Sequence, residues 1–330
     1  MIEFARKALG LAQSVHIKLI ALSGRGSDRV FFRTTWDKTG SVILIHYDPI
    51  RAENEYYGDI AKFLHHIKIP VPALIHHDVH QCLMLFEDLG DVDLWTLRNE
   101  PWEIRQSFYK KTLVIVHKLH SFPVDRFPAG QIKLMDAFGP SLYQWERDYF
   151  RDNFVEGACE IKLESDFSQE LELELSALAE PLHESRRSLV HRDLQSQNVM
   201  IQNGDPYLID FQGMRFGSPF YDLGSLLCDP YVLFSQGERD ELLSFYYDLS
   251  QRDLDWATFQ EHFWEASAQR LMQALGAYGF LGFRKGLTAF LDHIPPGLAN
   301  LQRAAARIPA LTHLRELLDE CQKHLGPRKD

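Results

Sequence analysis

The sequence predicts an α+β chain of two lobes, a small β-rich N-lobe over residues 1–88 and a larger, mainly helical C-lobe over residues 89–330. Three observations predict it. Short apolar runs broken by turn residues crowd the first part of the chain, as paired strands require. Beyond about residue 100 the apolar residues recur at i, i+3 and i+4, the spacing of one helix face. A composition of 45% hydrophobic and 25% charged residues over 330 positions is that of a globular protein with apolar material for a sizeable core.

Charge narrows the function. Thirty-five basic residues against 46 acidic ones leave a net charge of −11. That balance repels phosphate backbones and anionic membranes, so neither nucleic acid nor a membrane is expected as a partner. A cationic ligand is compatible with it. Cys82, Cys159, Cys228 and Cys321 are far apart and form no CxxC or Cys/His cluster, which predicts reduced thiols in a cytoplasmic protein. Glu3, Arg6 and Lys7 interrupt the N-terminus, so no signal peptide is expected, and no stretch approaches the roughly 20 apolar residues that span a bilayer.

Taken in order, residues 2–14 read as a short amphipathic helix. Residues 17–22 read as a strand, 23–29 as a loop and 30–35 as the returning strand. Gly24 and Gly26 in that loop let backbone N–H groups come close to an anion. Residues 41–47 form the next strand, whose only basic side chain is His46, and residues 52–65 a helix with Glu53 and Glu55 near its start. Pro70 and Pro72 force an extended segment, and the strand over 81–86 runs into Glu87-Asp88-Leu89-Gly90.

The helical part begins with residues 102–120, where Phe108, Leu113, Val116, Leu119 and His120 fall broadly on one face. Pro123, Pro128 and Gly130 mark a loop, and residues 143–154 an aromatic-rich helix. Residues 165–187 read as an acidic helix with a solvated face. Helical spacing returns over 237–247, 256–278 and 298–325.

Between these helices lies the stretch that carries chemistry. His191-Arg192-Asp193 follows a short apolar run, and Asn198 comes after four further residues. Asn203-Gly204 between two apolar runs signals a hairpin, with Pro206 expected to lengthen its turn, and the second run ends at Asp210. Asp193, Asn198 and Asp210 are thereby brought to face one point. Two carboxylates and a carboxamide suit hard, oxygen-seeking Mg²⁺.

His191-Arg192-Asp193, Asn198 and Asp210-Phe211 match the H-R-D-x-x-x-x-N and Asp-Phe pieces of the protein-kinase catalytic and metal-binding set. Gln212 in place of the glycine of D-F-G, with Gly213 after it, points away from protein kinases. With Tyr221-Asp222-Leu223-Gly224-Ser225-Leu226-Leu227 downstream, the stretch resembles the aminoglycoside-phosphotransferase-like family, which includes choline kinases and forms the small-molecule branch of the kinase fold. Residues 269–302, with Leu275-Gly276, Arg284-Lys285, Leu291-Asp292 and Pro295, resemble the C-terminal region of bacterial anomeric amino-sugar kinases. That group phosphorylates N-acetylmuramate and N-acetylglucosamine at the C1 hydroxyl in cell-wall recycling.

The resemblance implies a two-lobed, protein-kinase-like fold and transfer of the γ-phosphoryl group of ATP to a hydroxyl of a small molecule, a sugar above all. Asp193 would accept or orient the acceptor proton, and Asn198 and Asp210 would hold Mg²⁺. Gly24, Gly26, Ser27 and Arg29 would lie over the nucleotide phosphates, and Glu87, Asp88 and Leu89 would form the hinge that meets adenine. The strand lysine that such folds use is absent; His46 or Arg29 would replace it, or Mg²⁺ and the loop amides would carry the charge stabilisation without it. Trp145, with Tyr149 and Phe150, would stack on the acceptor, Glu146 would bind a hydroxyl, and Arg284 favours an acidic or N-acetylated acceptor. His191 and Arg192 would organise the loop, with Asp222 supporting it. Two alternatives stay open: an aminoglycoside- or choline-type kinase, which the acidic balance suits, and a catalytically silent nucleotide-binding protein, which the missing lysine suits.

Overall fold

Period-two alternation in the first part of the chain becomes a five-stranded antiparallel sheet. The computed structural model describes residues 1–22, 29–37, 40–185, 187–250 and 253–325, so Gly24, Gly26 and Ser27 lie outside the described residues. After helix α1 (Ile2–Ala8) come β1 (Ile17–Leu22), β2 (Val30–Trp36) and β3 (Gly40–His46), then α2 (Ala52–His66), β4 (Leu74–Asp78) and β5 (Leu83–Glu87), with sheet order β1-β2-β3-β5-β4. Alternate residues of β3 face opposite ways. Val42 and Leu44 pack with Phe4 and Ala5 of α1 and with Leu83 and Leu85 of β5, while Ile43 and Ile45 face a cleft on the other side. α1 is shorter than the expected 2–14 because Gly10, at φ +64°, turns the chain into the left-handed region.

The remainder is mainly helical. It runs α3 (Trp102–His120), α4 (Pro140–Phe150), α5 (Ser165–Glu184), β6 (Ser188–Val190), β7 (Val199–Gln202), β8 (Asp205–Leu208), β9 (Arg215–Gly217), α6 (Pro219–Leu227), α7 (Gln236–Leu249), α8 (Trp256–Gly279), α9 (Ile294–Ala305) and α10 (Thr312–His324). Local chemistry sets several starts. Ser235 and Glu238 form a capping box at α7, and the Asp255 carboxylate accepts from the Ala257 and Thr258 N–H groups at α8. α5 keeps Asp166, Glu170 and Glu180 exposed on one face and buries Leu171, Leu175, Leu178 and Leu182 on the other. Two expectations need correction. The apolar run over 298–325 is two helices, parted around Pro309, whose missing N–H and fixed φ interrupt helical bonding. Pro206 does not lengthen the hairpin, because Gln202 pairs with Asp205 and leaves only Asn203 (φ +53°) and Gly204 (φ +84°) in the turn.

The longest helix, α8, is the axis of this part. It is buried almost all round its middle, and α4, α6 and α9 pack against it. Glycines permit the closest approach: a Cβ on Gly276 would lie 2.8 Å from the Tyr149 carbonyl oxygen, and one on Gly279 would lie 2.2 Å from that of Asn153. A helix buried on every side brings its polar residues inside with it. Glu265, Gln269, Arg270 and Gln273 are all buried. Among the described residues no helix is long and apolar enough to cross a membrane.

Candidate active site

The loop between β6 and β7 is held from beneath by buried carboxylates. Asp222 of α6 accepts the backbone N–H groups of His191 (2.7 Å) and Arg192 (2.8 Å), and Nε2 of His120 lies 3.0 Å from it. Asp229, just past α6, accepts from the Ser196 N–H (2.7 Å) and hydroxyl (2.5 Å) and from the Tyr231 N–H (3.0 Å). Burial pushes the Asp229 carboxyl up to about 6 against those donors. His191 donates through Nε2 to the Ile209 carbonyl at 2.9 Å, tying the loop to the segment that carries Asp210. These contacts fit the organising roles expected of His191 and Asp222.

The loop and the hairpin then meet across one cavity of about 370 Å³. Asp193, Asn198 and Asp210 all line it, together with Glu87, Asp88 and Leu89. A second cavity, of about 460 Å³ beside α4 and α5, contains none of the motif residues. The Asn198 amide donates to the Asp193 carbonyl at 2.9 Å, which orients it so that Oδ1 remains as an acceptor. Asp210 stands at φ +64° with its side chain 30% exposed. An amide oxygen and a half-exposed carboxylate on one wall are the donor chemistry a hard divalent cation needs.

Arg29 meets Asp210 directly. The two form a hydrogen-bonded ion pair, with the Arg29 guanidinium 5.6 Å from the ring centres of both Phe31 and Tyr57. Burial works against the charge of Arg29, but Asp210, Tyr57 and Glu53 more than offset it and hold its pKa above the ordinary arginine value. On the other partner, burial would raise Asp210, and the Arg29 charge instead brings its carboxyl below the usual range. Tyr57 of α2 also accepts the Asp210 N–H at 3.3 Å, and its ring packs on Phe211.

His46 is not brought to this cavity. It shares a strand face with Val42 and Leu44, is exposed, and points away from the cleft that Ile43 and Ile45 line. The only cations on the cavity wall are Arg29 and Arg33, among the described residues. Arg33 is engaged by Asp88 at 2.6 and 3.0 Å and by Asp91 at 2.8 Å. Asp88 also accepts from the Ser41 hydroxyl and, at 3.0 Å, the Gly90 N–H, so its side chain fixes the turn that presents Glu87, Asp88 and Leu89.

The expected acceptor residues fare unevenly. Glu146 is 1% exposed and both its oxygens are used, one by the Tyr221 hydroxyl (2.6 Å) and the other by Gln269 (3.0 Å). Burial pushes its carboxyl up. It therefore braces α4 against α6 and α8 instead of reaching a bound hydroxyl. Trp145 is 49% exposed and stacked on Tyr149 at 5.0 Å, whereas Phe150 is buried. Arg284 is exposed and reaches the Asp152 carbonyl at 3.4 Å.

Sequence reading missed Arg270. From α8 its guanidinium donates to Asp193 Oδ1 at 2.8 Å, while Gln273 (2.6 Å) and Ser225 (3.2 Å) hold it from behind. Little in the sequence signalled it, because Glu265, Gln269 and Gln273 make its helix look partly polar around Arg270. Asp229 was missed too, although it lies just past the short helix that carries Asp222.

A small antiparallel sheet over a helical body, with a cleft against the loop and hairpin, is the architecture of a kinase-fold small-molecule phosphotransferase with an alcohol group as acceptor. The chain belongs to the phosphotransferase enzyme family, whose sequence model matches residues 18–262. It is similar to an N-acetylmuramate/N-acetylglucosamine kinase of Neisseria meningitidis serogroup B, at 25% identity over 300 residues, 88% of this chain and 87% of that protein. A kinase of the same name from Pseudomonas aeruginosa is 24% identical over 320 residues, 91% of this chain and 88% of the relative. Among solved structures, the choline kinase LicA of Streptococcus pneumoniae superposes with a TM-score of 0.59 at 14% identity, covering 93% of this chain and 98% of that one. The ADP-bound aminoglycoside phosphotransferase APH(2″)-Ib gives 0.61 at 15% identity, covering 91% and 96%.

Proposed function

We propose that this protein transfers the γ-phosphoryl group of ATP to the C1 hydroxyl of N-acetylmuramate or N-acetylglucosamine, as a step of cell-wall recycling. The observation that carries the reading is the convergence of Asp193, Asn198 and Asp210 on the cavity bounded by Glu87, Asp88 and Leu89. The names of relatives that match nearly end to end supply the acceptor. Residues 1–88 act as the nucleotide lobe and 89–330 as the acceptor lobe.

In this reading the backbone at Glu87, Asp88 and Leu89 meets the adenine edge. Arg29 brings positive charge to the phosphate end of the cleft, the part that a strand lysine plays elsewhere. Asn198 Oδ1 and Asp210 are the atoms that would hold Mg²⁺, and the ion supplies charge neutralisation at the phosphates when bound. Asp193 orients the acceptor hydroxyl and takes its proton, while Arg270 fixes the carboxylate so that one oxygen stays aimed at the acceptor. Catalysis of this kind is positioning and electrostatics more than covalent chemistry. The test is product analysis. Phosphorus NMR of a reaction with ATP, Mg²⁺ and either sugar should reveal an anomeric sugar phosphate, and its absence with both sugars would sink the assignment.

A rival reading, nucleotide binding without turnover, has one observation in its favour. Ile43 and Ile45 put no charge on the cleft face of β3, and Asp210 is already paired with Arg29. Nucleotide binding with no ATP consumption on any acceptor would favour it.

A further inference from the structure

Arg192 stands next to Asp193 and is unlike its neighbours on the loop. Its backbone has φ +78°, in the left-handed region that favours glycine and strains any other residue. A glycine there would remove that strain and keep the N–H that Asp222 accepts. The arginine side chain makes no hydrogen bond in return, although the nearby Asp193 favours its charge. Among the described residues its half-buried guanidinium has no hydrogen bond or ion pair. A half-buried planar fork of five donors without a protein acceptor is built to receive one from outside.

Its position says which side of the reaction that acceptor comes from. Arg192 does not line the cavity that holds Asn198, Asp210 and the hinge. Its stem lies against Gly213, with Cδ 3.6 Å from where a Cβ there would stand, and its charge bears on Asp193, Tyr221, Arg270 and Glu146. Both oxygens of Glu146 are taken, by Tyr221 and Gln269, and one oxygen of Asp193 is held by Arg270, and Arg192 hydrogen-bonds to neither carboxylate. Burial raises the phenol of Tyr149 on α4, against the pull of Arg284, Arg192 and Arg51, so further positive charge gathers on that side. A quaternary ammonium or polyamine acceptor would be repelled there.

We infer that Arg192 anchors a carboxylate of the acceptor, so that the substrate class this site selects is an acid-bearing sugar over its neutral counterpart. The inference rests on the sugar-kinase reading and goes further by naming the residue and the group it recognises. A guanidinium meets a carboxylate through two parallel N–H donors, which fixes orientation as well as affinity beside the base.

The test compares N-acetylmuramate with N-acetylglucosamine, which lacks the lactyl carboxylate, in the full-length protein, in Arg192→Met and in Arg192→Lys. Methionine keeps the stem and the same backbone preference. The ratio of kcat/KM for the acid over the neutral sugar should fall about tenfold or more in Arg192→Met, through KM, and recover in part in Arg192→Lys. An equal loss on both sugars, or an unchanged ratio, overturns the anchor and leaves the sugar-kinase reading standing. Should the variants fold poorly, the unmodified protein decides with the methyl ester of N-acetylmuramate. Its KM should rise by a similar factor, and an equal KM for acid and ester overturns the anchor. Unmodified protein that turns over only choline or an aminoglycoside removes the sugar reading first, and the anchor with it.

Discussion

Asp193 and Arg270 form the pair on which the proposed chemistry turns. An asparagine at 193 keeps an oxygen for the Arg270 donor and nearly the same volume, so Asp193→Asn should fold normally. Its kcat should drop by about 10²–10⁴-fold, the range for loss of a positioned proton acceptor, with the melting temperature held. Arg29→Met tests the other end of the cleft. It leaves Asp210 without its partner and should raise the KM for ATP about tenfold or more, with the KM for the sugar unmoved. Asp229 gives a pH signature. Its folded-state pKa, about 6, lies above the ordinary 3.8, so the folded protein holds that proton more tightly than the unfolded chain. The stability this contributes is present below the ordinary value and lost as pH rises through about 6, on the order of 2–3 kcal/mol. Denaturant unfolding of wild type and Asp229→Asn from about pH 4 to about pH 7 should show a smaller decline in the variant. Equal slopes would mean that Asp229 is ionised throughout. Asp193, Asn198 and Asp210 were legible in the sequence because one loop and one two-residue hairpin bring them together. Arg270 was not, since it reaches Asp193 from 77 residues further along the chain.

Elements were legible where periodicity decides them, and less so where packing does. The strand ending at His46 was readable, but which of its faces meets the cleft depends on α1 covering Val42 and Leu44. Glu146 looked available on an aromatic helix, and only the crossing of α4 with α6 and α8 turns it inward. The glycines of α8 mark that crossing. A methyl on Gly279 has no room beside the Asn153 carbonyl, and backbone cannot swing aside as a flexible side chain would. Gly279→Ala should therefore destabilise by about 1–3 kcal/mol in denaturant unfolding, despite the better helix propensity of alanine. A variant as stable as wild type would mean that the helices separate easily. Such a result would weaken the view that α8 holds Arg270 rigidly against Asp193.

For the whole molecule, net charge and local charge point in different directions. An overall −11 suggested a cationic acceptor as readily as any other, yet Arg270 bonds Asp193 directly, and Arg192, Arg270 and Arg284 all lie outside the cavity that Asp193, Asn198 and Asp210 line. Net charge is a property of the surface, and recognition depends on the few charges that a ligand meets. The same contrast separates the similar proteins: solved choline and aminoglycoside kinases share the fold, while the relatives matched by sequence are named for acetylated amino sugars. The most direct measurement is ATP consumption with Mg²⁺ against N-acetylmuramate, N-acetylglucosamine, glucosamine, choline and an aminoglycoside, with Asp193→Asn run in parallel. The account predicts turnover on the N-acetylated sugars that disappears in the variant. Undiminished turnover in Asp193→Asn, or consumption driven only by the cationic acceptors, would contradict it.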